Sequence, residues 1–167
     1  MKHIELPAAD RLHELFFYDE CDGELYLRVD RGPRKAGMLA GGINVDGYVS
    51  VAIDGRRYLA HRIIWKMKTG GDAVLDIDHE DNNRNNNRFE NLREATKGQN
   101  LRNSKISRRN KSGTKGVYFN PLNNNWRVSI MVDRVPHRLG SFADIEEAKA
   151  VAHAARERLH GKFSRAA

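Results

Sequence analysis

Hydrophobic and polar positions change period several times along the chain, and each change predicts an element. Leu12, Leu15, Phe16 and Phe17 give Asp10 to Phe17 the spacing of a short amphipathic helix. GELYLRV (23–29) alternates between Gly and Asp boundaries and predicts a strand. GYVSVAI (47–53), the Asp54-Gly55 turn and RRYLA (56–60) form the clearest hairpin pattern in the chain. The glycines of GPRKAGMLAGG, between these strands, lack the spacing of a phosphate-binding loop and predict turns. AHRIIWKMKTG then predicts a helix with Ile63, Ile64 and Met67 inward and Gly70 or Gly71 as its stop. AVLDIDHE comes next as a strand ending in the pair Asp78-His79.

Toward the C-terminus, GVYFN, WRVSIMV and PHRLGSF predict three short strands, turned at Asn123 to Asn125 and at Asp133-Arg134. Asp144 and Glu147 carry capping-box spacing. Ile145, Ala148, Ala152, Ala155 and Leu159 form the apolar stripe of a helix reaching about His160, with Gly161 as its stop. Small alanine side chains let such a helix lie close to the sheet.

Composition narrows the class. A chain of 167 residues accommodates one ordinary domain or two very small ones. With 40% hydrophobic and 31% charged residues and a mean hydropathy of -0.70, it reads as soluble. No stretch has the length of a membrane span, and MKHIELPAADRLHEL lacks the apolar core of a signal peptide, so a cytoplasmic location is expected. The single cysteine, Cys21, excludes an internal disulfide, a four-cysteine zinc site and an iron–sulfur cluster held by this chain alone.

Charge is uneven. Residues 1–60 carry 8 Lys/Arg against 10 Asp/Glu, whereas residues 61–167 carry 21 against 12. The densest stretch holds Lys97, Arg102, Lys105, Arg108, Arg109, Lys111 and Lys115 with no acid among them. A nucleic-acid surface and a solvated tether both have this composition.

Chemistry favours the first. In residues 81–103, Asn occupies 8 of 23 positions, yet Phe89 and Leu92 interrupt the run as apolar anchors, which points to a tight loop and not to low complexity. Thr96 then caps a helix beginning at Lys97. Strand, constrained loop and helix suit phosphodiester hydrolysis, which needs a base for water, a positive centre for developing charge and a group to hold the base in place. His79 has the residue type of that base. Asp78 alternates to the other side of the strand, where a carboxylate suits a metal; Asn100 offers a second oxygen, and Asn91 a carbonyl for the other ring nitrogen of His79. Oxygen ligands with open positions suit Mg²⁺ or Mn²⁺. Periodicity alone does not select these four residues from so many asparagines.

DIDHEDNNRNNNRFENLREATKGQNLRN, with AHRIIWKMKTG upstream, resembles the HNH nuclease family, in particular the small phage-borne and homing-type enzymes whose last motif position is Asn. The resemblance covers about residues 45–105. It implies an α+β protein with a ββα-metal (His-Me finger) core, with Asp78 and Asn100 as metal ligands, His79 as general base and Asn91 as the residue orienting it. Where relatives often have Gly in the turn after Asp-His, this chain has Asn82, which tolerates the same backbone region. His61 and Arg62 match the pair that precedes such a domain; His61 reads as packing beneath the sheet or as touching substrate, and Arg62, with Arg88 and Arg93, as a phosphate contact.

The C-terminal pattern resembles an AP2-type DNA-binding domain, a three-stranded sheet backed by one helix. That resemblance implies DNA contacts from Tyr118, Asn120, Trp126, Arg127, Arg134 and Arg138, while Lys105, Arg108, Arg109, Lys111 and Lys115 track phosphates between the two domains. The implied organisation is a supporting region at 1–58, a nuclease domain and basic linker at 59–110, and a reader at 111–167. The expected function is a metal-dependent endonuclease on double-stranded DNA, acting in the cytoplasm, that of the host cell if phage-encoded, as a monomer with a dimer as the alternative. It is expected to nick, leaving 3′-hydroxyl and 5′-phosphate. The competing class is a DNA-binding or regulatory protein with a weak or inactive site.

Overall fold

The computed structural model describes residues 5–160, save 105, 108 and 134. The chain divides into two compact units, one ending at Ala95 and the other beginning at Thr96.

In the first unit, helix α1 (Ala9–Leu15) buries Leu12 and Leu15. It ends sooner than its apolar pattern predicts, because Phe16 turns into strand β1 (Phe16–Asp19), which pairs antiparallel with β2 (Glu24–Leu27). Phe16 is buried and Phe17 exposed, as alternation along a strand requires. A second sheet has the order β3 (Gly42–Ile43), β4 (Val49–Ile53), β5 (Arg56–Leu59). The β4–β5 hairpin turns through Asp54 and Gly55, both at positive φ, as the Asp-Gly pair predicts. Helix α2 (Ala60–Thr69) begins at once, buries Ile63, Ile64 and Met67, and stops at left-handed Gly70.

Strand β6 (Asp76–His79) pairs antiparallel with β7 (Leu92–Ala95), so that Asp78 lies opposite Arg93 and His79 opposite Leu92. The chain between them closes through a short 3-10 helix, Phe89–Asn91. One continuous core runs from Leu6 through Phe16, Leu25, Ile53 and Ile64 to Ile77 and Leu92, with Trp65 and Phe89 packed on its edge. The Asn-rich loop therefore stands on a packed base.

The second unit begins with α3 (Lys97–Asn103), whose N-terminus carries a full capping box: the Gln99 N–H donates to the Thr96 hydroxyl, and the Thr96 N–H to the Gln99 side chain. A three-stranded antiparallel sheet has the order β10 (Val135–Phe142), β9 (Asn125–Val132), β8 (Val117–Asn120). Helix α4 (Ile145–His160) packs Ala148 and Ala152 against Val117 and Val128. The Glu147 N–H donates to the Asp144 carboxylate at 2.9 Å, the N-cap half of the expected box. Past Ala155 the buried face of α4 turns polar: Arg156 and His160 are buried, whereas Leu159 is only half-buried. The expected stop at Gly161 lies outside the described residues.

Candidate active site

The loop after β6 is built by side chains hydrogen-bonding back to its own main chain. Asp81 accepts from the Asn83 N–H at 2.7 Å, from Asn86 Nδ2 at 2.7 Å and from Asn91 Nδ2 at 3.0 Å. Asn91 in turn accepts from the Asp81 N–H and donates to the Asn86 carbonyl. Burial pulls the Asp81 carboxyl upward, but the bonds from Asn86, the Asn83 N–H and Asn91 outweigh it and hold its pKa below the usual carboxylate value. Asn82 occupies a left-handed conformation at φ 59°, a region that Asn tolerates.

The loop is also tied to the β1–β2 hairpin. Tyr18 donates its hydroxyl to the Asn87 carbonyl at 3.2 Å and accepts the Phe89 N–H at 2.8 Å. Gly23 sits so close to the loop that a Cβ there would lie 2.6 Å from the Arg88 nitrogen. Arg84 reaches from the loop to the Asp46 carbonyl and covers the Tyr48 ring.

These ties fix His79. The residue is 4% exposed, and its Nε2 lies 3.1 Å from Asn87 Oδ1. Because an amide oxygen only accepts, Nε2 carries the proton; in the neutral ring Nδ1 is then the basic nitrogen. The ring meets His61 edge-on at 5.1 Å, with Tyr48 at 6.0 Å. Burial pushes the His79 pKa below its ordinary value, against the upward pull of Asn87, Asp81 and Asp78. The neutral, proton-accepting form is thereby favoured at physiological pH.

Asn91 does not meet His79: its amide is spent on Asp81 and Asn86, so it clamps the loop, and the orienting carbonyl belongs to Asn87. Nothing in the sequence separates Asn87 from the asparagines beside it. Burial does, because Asn87 is 1% exposed. His61 is buried within the aromatic group formed with Tyr48 and His79.

Asp78 has other partners. Its Oδ2 accepts from Arg93 Nη2 at 3.0 Å and Nε at 3.2 Å, and Arg93 Nη1 also reaches Glu80. Arg93, expected as a phosphate clamp, is instead drawn into this largely buried pair, because it lies opposite Asp78 on β7. Arg62 is half-buried on α2, and Arg88 is exposed with its Nε donated to the Cys21 carbonyl. Asn100 is half-buried on α3 and belongs to the second unit. Among the described residues no three His, Cys, Asp or Glu side chains form a metal cage. The carboxylate of Asp78 is a hard oxygen donor of the kind that a small divalent cation takes.

In the second unit Tyr118, Arg127 and Arg138 line one shallow depression of the sheet. Asn120 is buried, and with its side-chain amide turned so that the oxygen faces Arg127 it accepts from Nη2 at 2.9 Å and Nε at 3.2 Å. Trp126 packs on Phe119 and on the Val117–Ala148 core. Arg109 and Lys111 are exposed, whereas Lys115 turns inward to the Arg102 and Ser104 carbonyls. Lys105, Arg108 and Arg134 lie outside the described residues.

A strand-end His beside an Asp, with a clamped loop closing back through an antiparallel partner strand, defines a nuclease-type site, and comparison with known proteins agrees. The HNH endonuclease family model matches residues 58–102. Protein 3.8 of Escherichia phage T7 is 35% identical over 106 residues, spanning 63% of this chain and 87% of that one. An uncharacterized HNH endonuclease, L560, of Acanthamoeba polyphaga mimivirus is 31% identical over 116 residues, spanning 68% of this chain and 59% of the relative. The HNH homing endonuclease I-HmuI, solved in a study of its DNA binding and cleavage, aligns with a TM-score of 0.43 and 20% identity over 81% of this chain and 78% of that one. The chain belongs to the HNH endonuclease family. No helix among the described residues is long and apolar enough to cross a membrane.

Proposed function

We propose that this protein is a metal-dependent endonuclease that nicks double-stranded DNA, leaving 3′-hydroxyl and 5′-phosphate. One observation carries the reading: His79 ends β6 directly after Asp78, with Nε2 held by the buried Asn87 carbonyl so that Nδ1 is the basic nitrogen. His79 Nδ1 takes a proton from the attacking water, and the resulting imidazolium is stabilised by the Nε2–H bond to Asn87 and by the nearby carboxylates of Asp81 and Asp78. Asn91, Asp81 and Asn86 keep the loop, and with it Asn87, in register. By their positions in the family motif, Asp78 and Asn100 would hold Mg²⁺ or Mn²⁺. A cation held there would supply positive charge for the departing 3′ oxygen.

The sheet of the second unit is proposed to read DNA in the manner of an AP2-type domain, through Tyr118, Arg127 and Arg138, while Arg109 and Lys111 track the backbone. The protein is proposed to act in the cytoplasm, that of the host cell if phage-encoded, and as a monomer that cuts one strand, a dimer being the arrangement that would cut both.

His79→Ala is expected to retain folding and DNA binding while cleavage falls on the order of 10² to 10⁴ fold, the scale of a positioned base. The comparison is made on supercoiled plasmid with Mg²⁺ and with EDTA, and undiminished Mg²⁺-dependent nicking by the variant refutes the assignment. A second reading, a DNA-binding protein with an attenuated site, draws on the Arg93 guanidinium at Asp78, which competes with a cation for the same carboxylate. Under that reading wild type shows no Mg²⁺- or Mn²⁺-dependent nicking at saturating metal.

A further inference from the structure

The second unit contains a cleft of about 710 Å³ between α3, β9 and the C-terminal end of α4, well apart in sequence from Asp78 and His79. Lys97, Arg102, Lys115, Arg156 and His160 line it, and the sole acid among its described lining residues is Asp133. Asp133 is already committed to Arg102 at 2.5 Å, so Lys97 and Arg156 have no other carboxylate among the described lining residues to neutralise them.

Two of these groups are buried in a way that the packing of a small domain does not explain. Arg156 is 5% exposed and His160 7%. Arg156 Nη2 reaches only the Arg102 carbonyl, at 3.3 Å, while Arg156 Nε and His160 Nδ1 have no hydrogen-bond partner among the described residues. A guanidinium taken out of water without a counter-charge is among the costlier groups a fold can hold. Both residues are buried on α4 together with Ala148, Ala152 and Ala155. Stability alone favours a residue such as Met there.

We propose that this cleft binds the phosphate group of a nucleotide or polynucleotide, with the Arg156 guanidinium and the His160 imidazole as the buried contacts and Lys97 at the mouth. A guanidinium matches phosphate oxygens with paired N–H donors, and a cationic wall draws an anion in. Leu101, Ile130 and Met131 supply an apolar wall suited to a sugar or base carried by that phosphate. Where the phosphate belongs to DNA, the proposal rests on the nuclease reading and adds a backbone contact to it; where it belongs to a free nucleotide, it stands apart.

The test is thermal unfolding of the full chain in EDTA with inorganic pyrophosphate, deoxyadenosine 5′-monophosphate or a short duplex DNA, against chloride at matched ionic strength. Wild type is expected to show a saturable rise in Tm with at least one of these probes. Arg156→Met is expected to fold with an equal or higher Tm in chloride and to bind the probe at least tenfold more weakly. His160→Gln and Lys97→Gln, each expected to weaken binding several-fold, decide the matter if Arg156→Met fails to fold. Displacement of the mononucleotide by duplex identifies a polynucleotide as the ligand, and independent binding of the two identifies a free nucleotide. The proposal is overturned if wild type responds to none of the probes, or if the variants respond as wild type does. His79→Ala should keep the full phosphate response, so failure of the nuclease reading and failure of the cleft are read separately.

Discussion

The chemistry of His79 depends on which of its two nitrogens carries the proton, and a single amide settles this. Asn87→Ala removes the acceptor for Nε2–H and is expected to lower the cleavage rate about 10- to 100-fold, the range for losing a group that orients a reactive imidazole. Asn87→Asp places a carboxylate there instead. Burial holds the wild-type His79 pKa below its ordinary value, so the acid limb of the wild-type pH–rate profile should lie below that of a free imidazole, and Asn87→Asp should move it upward by stabilising the imidazolium. Single-turnover rates between pH 5 and 9 measure both effects. Asp81 acts with the opposite sign. Its folded-state pKa is depressed, so its contribution to stability is present above the unfolded value and is lost as pH falls through the folded one. The Tm gap between wild type and Asp81→Ala should therefore be full at neutral pH and narrow below about pH 4. His79 is visible in the sequence because it is the only histidine between His61 and His137, and Asp78 because it is its neighbour. Asn87 is not, because tertiary burial by Tyr18 and the β1–β2 hairpin is all that distinguishes it from its neighbours.

At the level of elements, local chemistry dominates where the sequence reading succeeds. The β4–β5 hairpin, α2 with its Gly70 stop and α3 with its Thr96 cap each depend on residues within a few positions of one another. The reading runs short where a distant partner decides. Phe16 would continue α1 by pattern, yet pairing with Leu27 takes it into β1. Strand β7, LREA, has little alternation of its own and exists because β6 supplies its ladder. Gly23 shows how such distant partners bear on the site. It combines φ +81° with a 2.6 Å approach to the Arg88 nitrogen, so Gly23→Ala is expected to destabilise the first unit by about 1–3 kcal/mol and to slow cleavage by displacing the loop that carries Asn87. Thermal unfolding and plasmid nicking of that variant report the two effects separately. A loss of stability with wild-type cleavage at low temperature would show that the hairpin supports the core but does not register the loop.

For the molecule as a whole, the basic tether suggests a boundary near residue 111, whereas the chain divides between β7 and α3. Helix α3 is bonded to residues downstream of it: Arg102 pairs with Asp133, and its carbonyl accepts from Lys115 and Arg156. Deleting residues 112–167 is therefore expected to do more than remove sequence preference. With α3 stripped of these partners, and Asn100 upon it, residual nicking at low salt should need several-fold more Mg²⁺ than wild type. Footprinting and a metal titration of the truncated protein measure the two losses. An unchanged metal requirement would show that α3 holds its shape without them.

The same bonds say where such a protein can be recombined. A chimera joined within the tether would graft a foreign sheet and helix onto an α3 whose Arg102 has lost its Asp133 and Arg156 partners. Crossing over between Ala95 and Thr96 transfers the helix together with the sheet that supports it. Under the proposed function, new target preferences should then be exchanged as cassettes that begin with the capping threonine, each bringing its own copy of Asn100. A reader of that kind would start inside the segment that the HNH family model matches, since the second unit begins at Thr96.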